Sequence, residues 1–69
     1  MSAIALTPLG RQSAEDTTGR GPEFAVLSLV YEANGPVEFE EVMDGTHMDE
    51  EKASMVVRRL IAKNLVKEV

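Results

Sequence analysis

The sequence predicts a small α+β domain, with three helices around one core and a two-stranded antiparallel sheet formed by the N- and C-terminal segments. A length of 69 residues allows one domain only. Apolar residues recur at helical spacing in three segments between residues 22 and 63. Short apolar segments near both ends, 3–7 and 65–69, have the alternation of strands. We therefore interpret 1–21 as a strand and loop, and 22–69 as a helical core with a C-terminal strand.

The composition excludes several classes of protein. No cysteine is present, which excludes disulfides and thiolate metal sites, and one histidine is too few for a histidine-rich metal site. The apolar runs are far shorter than the roughly 20 residues that span a bilayer. The first residues lack the basic start of a secretory signal, so we expect a cytoplasmic protein without membrane contact. No nucleophile–base pair or phosphate loop is visible. We expect no enzyme, no cofactor, no metal and no small-molecule substrate.

The net charge of −5 is distributed unevenly along the chain. Residues 32–51 contain eight acidic side chains and no basic one, whereas residues 52–69 contain five basic side chains and one acidic one. A basic stripe of this kind attracts a phosphate backbone, and the acidic block opposes that attraction. The alternative is that both blocks only keep a small domain soluble.

The N-terminal part predicts a short strand followed by irregular structure. Ile4 and Leu6 alternate as in a strand that Pro8 ends. Residues 10–20 are interpreted as a loop or a weak helix, stopped at the Thr17-Thr18-Gly19 segment. The first strong helix begins at Pro22, a residue that suits the first helical position, and ends at the Asn34-Gly35-Pro36 turn.

Two further helices and a strand follow. A short amphipathic helix is predicted over 38–44, with Gly45 as its stop or kink and 46–48 as the turn. Asp49 is a suitable N-cap for a third helix that runs to Lys63. Asn64 favours the left-handed conformation that ends a helix, and 65–69 reads as a strand. The third helix has an inward apolar stripe of Ala53, Val56, Val57, Leu60 and Ile61. The predicted core comprises Phe24, Leu27, Val30, Tyr31, Phe39, Val42, Val56, Leu60 and Leu65.

The order of these elements resembles the winged helix-turn-helix family. The resemblance rests on GPVEFEEV (35–42), MDEE (48–51) and VVRRLIAKNLV (56–66), and it covers about residues 22–69. It implies that the third helix lies in the DNA major groove and that the hairpin after it contacts the flanking backbone. The chain departs from the family where a second wing strand would follow Val69. However, ALTPLGR (5–11) is similar to the segment after the last wing strand. We therefore expect residues 3–7 to pair with 65–69, within one chain or across a dimer.

The outward side of the third helix holds the candidate site. If the resemblance holds, helix 50–63 contacts duplex DNA, and the protein is a DNA-binding module such as a small transcription regulator. Glu50 and Glu51 at the helix start oppose this because they repel phosphates. The alternative is a protein-interaction module of the same fold that docks a partner or a second copy. The candidate nucleic-acid-binding residues are Lys52, Ser54, Met55, Arg58, Arg59 and Lys63.

Other motifs carry little functional signal. The lone His47 is interpreted as a turn residue, because histidine tolerates positive φ better than bulkier side chains do. Glu40, Glu41 and Asp44 are read as a solvated helix face without a nucleophile. Residues 19–21 lack the lysine and hydroxyl residue that follow a phosphate-binding loop.

Overall fold

The computed structural model describes residues 3–16 and 19–69, and within these ranges it contains four helices and three short strands. The α+β class is confirmed, but the predicted numbers of helices and strands are each too low by one. The predicted stop at Thr17 and Thr18 lies outside the described residues. In chain order the elements are β1 (Ala3–Leu6), α1 (Pro8–Glu15), α2 (Pro22–Ala33), β2 (Val37–Glu38), α3 (Phe39–Thr46), α4 (Glu50–Ala62) and β3 (Val66–Glu68).

The additional helix is α1, where the sequence favoured a loop or a weak helix over residues 10–20. Thr7 is its N-cap, and the Thr7 hydroxyl accepts a hydrogen bond of 3.0 Å from the Gly10 backbone N–H. Pro8 follows at the start of the helix, where its missing N–H costs nothing. The buried Gly10 and Ala14 face the rest of the domain. A short helix of low apolar content therefore forms because it is capped and packed.

The sheet joins the two ends of the chain. β1 pairs antiparallel with β3, with Leu6 opposite Val66 and Ile4 opposite Glu68. This confirms the predicted pairing of the N- and C-terminal segments, and it forms within one chain. β1 also pairs with β2, which gives the order β2-β1-β3. Glu38, the second residue of β2, was predicted to begin the second helix, but it lies in a strand opposite Ala3. Val37, before the predicted helix, pairs with Ile4 and is buried.

Three turns between elements use a non-glycine residue with positive φ. Asn34, His47 and Asn64 have φ values of 57°, 60° and 63°. The interpretation of His47 and Asn64 as residues in this conformation is confirmed. The prediction that Gly45 stops the second helix is wrong, since α3 continues to Thr46. Gly45 instead allows close packing, because a Cβ there would lie 2.8 Å from Leu29 Cδ1.

The core lies between α2, α3, α4 and the inner face of the sheet. Five of the nine predicted core residues are buried, and the other four are half-buried. Phe24 is one of the half-buried residues, and its ring lies beside Gly19. Helix α2 is apolar nearly all round, and it is Val26 that points into the core. Ile61 from the predicted inward stripe is 37% exposed. Buried apolar side chains that were not in the predicted core are those of Ile4, Ala14, Val26, Val37, Ala53, Val57 and Val66.

The described helices are short. None of them, within the part of the chain that the structure describes, is long and apolar enough to cross a bilayer.

Candidate functional site

Helix α4 is fixed at its N-terminal end by its cap. The Asp49 carboxylate accepts a hydrogen bond of 2.8 Å from the Lys52 backbone N–H, as predicted from the sequence. Glu50 and Glu51 in the first turn favour the positive end of the helix dipole. These contacts define where the helix begins and therefore which side chains follow on each face.

Burial of one face of α4 determines which residues face outward. Ala53, Val56, Val57 and Leu60 are buried, and Leu60 has no exposed surface. Leu65 N–H donates to the Leu60 carbonyl at 2.9 Å, which ties the strand entry to the last turn. The helix therefore has little freedom to rotate about its axis, and the opposite face is presented as a rigid surface.

An open groove runs along that opposite face. We call the six residues that line it the α4 outer face: Glu50, Glu51, Ser54, Met55, Arg58 and Arg59. Four of the six predicted site residues are thus brought together, namely Ser54, Met55, Arg58 and Arg59. Met55, which lies in the middle, is 47% exposed.

The two arginines of this face are available for contacts. Arg58 and Arg59 are exposed, and neither has an ion pair or hydrogen bond of its side chain to any residue that the structure describes. A guanidinium group carries five N–H donors in a fixed planar arrangement that suits carboxylates, phosphates and guanine edges. The pair can therefore bind an external acceptor without breaking a contact within the domain.

The two predicted lysines lie differently. Lys52 is exposed but does not line the groove. Lys63 Nζ lies 2.7 Å from Glu23 Oε1, an ion pair that joins the end of α4 to the start of α2. Sequence spacing could not indicate this contact, because 40 residues separate the partners. Lys63 is thus already occupied within the domain.

The charge of the α4 outer face is balanced but polarised. Two carboxylates occupy its N-terminal end and two guanidinium groups its C-terminal end. From the sequence, we expected Glu50 and Glu51 to repel phosphates. Both residues line the same groove as the two arginines.

A second groove, which the sequence did not predict, flanks α4 next to β3. Phe39, Val57 and Ile61 give it apolar walls, and Arg58 and Glu68 line it as well. Phe39 was assigned to the core, and its apolar character gives no signal that one edge faces a groove.

One cluster outside α4 shifts a pKa. The Tyr31 hydroxyl donates a hydrogen bond of 3.1 Å to Glu15 Oε2, and the Arg11 guanidinium lies 5.5 Å from the Tyr31 ring centre. The hydrogen bond to Glu15 and its negative charge raise the pKa of Tyr31 above the ordinary 10.0, although Arg11 opposes the shift. The cluster ties α1 to α2.

Metal-ligating side chains do not converge in the described ranges. No group of three or more His, Asp or Glu residues there could hold a metal ion. The acidic residues Glu40, Glu41 and Asp44 line an exposed depression with Met43 and Met48.

Comparison with known proteins gives no relative. No family model, no curated protein and no solved structure matches the chain.

Proposed function

We propose that the protein is a DNA-binding module of the winged helix-turn-helix kind, acting as a small transcription regulator. In this proposal α4 enters the major groove of duplex DNA with its outer face. The observation that carries it is the pair Arg58 and Arg59, exposed and without a side-chain partner among the described residues, on a capped helix whose other face is buried.

The element order supports this reading. The segment α2-β2-α3-α4-β3 follows the helix-turn-helix order and ends in a strand. β1 pairs with β3 and so takes the place of a second wing strand, although it comes from the other end of the chain. The fold would then be a circularly permuted winged helix, in which α1 follows the wing.

Electrostatics set the strength and specificity of the proposed contact. When the logarithm of the binding constant is plotted against the logarithm of the salt concentration, the line has a negative slope. Each phosphate that an arginine neutralises makes this slope steeper by about 0.9. Arg58 and Arg59 also have the geometry to bind guanine edges. Glu50 and Glu51 repel phosphates but accept hydrogen bonds from cytosine amino groups. The module should therefore bind weakly at random sequence and prefer sites with G·C pairs.

The test is a titration of a fluorescent mixed-sequence duplex at several salt concentrations, read by anisotropy. Arg58→Ala and Arg59→Ala should each weaken binding about tenfold at low salt and reduce the salt slope by about 0.9. Arg20→Ala removes the same charge from an exposed side chain outside α4 and is the matched control. An equal loss in that control, or no binding of the wild type at low salt, would contradict the proposal.

A specific observation also favours a second function, namely protein binding. Met55 is exposed in the middle of the α4 outer face, and charges of both signs surround it. An apolar centre with a charged rim is typical of a protein interface. The two functions differ in their dependence on Met55: Met55→Ala should weaken a protein contact strongly and duplex binding little.

A further inference from the structure

The α4 outer face has a charge pattern that complements itself. Glu50 and Glu51 lie before Ser54 and Met55, and Arg58 and Arg59 follow them at the same distance on the other side. From Glu51 to Arg58 the helix rises about 10 Å. If a second identical helix is turned end to end, its basic half therefore lies against the acidic half of the first.

We propose that this face binds a second copy of the same chain as an antiparallel α4–α4 pair about a two-fold axis. In that arrangement Glu51 lies opposite Arg58 of the second copy, and Glu50 and Arg59 flank the pair. Each contact forms twice because the interface is isologous. This inference goes beyond DNA binding and does not depend on it.

The apolar and small residues of the face fit such a pair. Met55 lies between Glu51 and Arg58 at intervals of four and three residues, and Ala62, just beyond the α4 outer face, follows four residues later. Residues at these intervals lie along one side of a helix and can face a second helix that packs lengthwise. Near the axis the two Met55 side chains meet, and each loses the exposed surface that it has in the single chain. Ser54 and Ala62 are small and allow the helices to approach closely.

The expected complex is weak and depends on concentration. A single pair of helices of this length buries less than the roughly 800 Å² per partner of a standard stable interface. We expect a dissociation constant between about 0.1 and 1 mM, which salt increases by screening the charges. Because Arg58 and Arg59 lie inside the pair, the self-associated form would leave neither arginine available to another ligand.

The experiment is sedimentation equilibrium of the full chain without DNA, with two charge-reversal variants. Glu50→Arg/Glu51→Arg makes the face wholly basic, and Arg58→Glu/Arg59→Glu makes it wholly acidic. Each variant alone should dimerise at least about tenfold more weakly than the wild type, whereas an equimolar mixture should form the heterodimer. Circular dichroism checks that both variants keep the native helix content.

Glu40→Arg/Glu41→Arg is the matched control. It makes the same charge change in the first turn of another helix, α3, and should leave dimerisation near the wild-type level, apart from the effect of net charge. A wild type that stays monomeric up to about 1 mM at low salt overturns the proposal. A mixture of the two folded reversal variants that remains monomeric overturns it as well. Neither result bears on duplex binding, which a different titration measures.

Discussion

At the scale of single residues, the domain depends on the contact between the start of α1 and the end of α4. The Thr7 hydroxyl donates to the Asn64 carbonyl at 2.7 Å and also accepts from Gly10 N–H. Thr7 N–H donates to the Leu65 carbonyl at 3.1 Å. The side chain and backbone of one residue thus cap a helix and connect the two ends of the chain.

Gly10 is expected to be intolerant of any side chain. A Cβ at this position would lie 1.7 Å from the Leu65 carbonyl oxygen, which is backbone and cannot move aside freely. Gly10→Ala should lower the free energy of unfolding by about 2 to 3 kcal/mol, although alanine is the better helix former. Urea unfolding measures the change. Gly35→Ala is the control, since nothing lies within 4 Å of a Cβ there, and equal losses in both variants would contradict the close approach.

The titration of Tyr31 should depend on Glu15. Glu15→Ala removes both the hydrogen-bond acceptor and the negative charge that raise the pKa of Tyr31, so the pKa should move down towards 10.0. Because the folded state raises this pKa, the Glu15 contact stabilises the fold below pH 10 and its contribution is lost as the pH rises through the folded pKa. The chain has one tyrosine and no tryptophan, so tyrosinate absorbance reports this residue alone. An unchanged titration curve would exclude the contact.

At the scale of elements, α4 was the part best predicted from the sequence. An acidic N-cap, an apolar stripe at helical spacing and a left-handed asparagine are local signals, and each of them is found at α4. β2 could not be predicted in this way. Its two residues form a strand because Val37 meets Ile4, more than 30 positions earlier in the sequence. Long-range pairing thus overrode a local helical pattern.

The cap of α4 should contribute measurably to stability. Asp49→Ala removes the acceptor for Lys52 N–H and should lower the free energy of unfolding by about 1 kcal/mol. Asp49→Asn keeps an acceptor oxygen in the same place and should lower the free energy of unfolding by only about 0.3 kcal/mol. Thermal unfolding followed by circular dichroism compares the two. If both variants lose the same stability, the charge of Asp49 matters more than its hydrogen bond.

At the scale of the whole molecule, the sheet is built from both ends of the chain. The β1–β3 pair was expected because the resemblance to the winged helix-turn-helix family requires a second wing strand beside residues 65–69, and the strand-like segment 3–7 could supply it. Of the six residues predicted for the candidate site, four line one groove, whereas Lys52 and Lys63 lie outside it. The ion pair between Lys63 and Glu23 depends on how α2 and α4 pack, which no local pattern encodes.

A titration of the isotope-labelled protein with duplex DNA, followed by amide chemical shifts, tests directly whether α4 contacts DNA. We expect the shifts at low salt to concentrate in residues 50–63 and to be largest around Arg58 and Arg59. They should shrink as salt is added, because counterion release drives the contact. Amides of 50–63 that do not move at low salt, or shifts that concentrate on α1 and α2 instead, would contradict it.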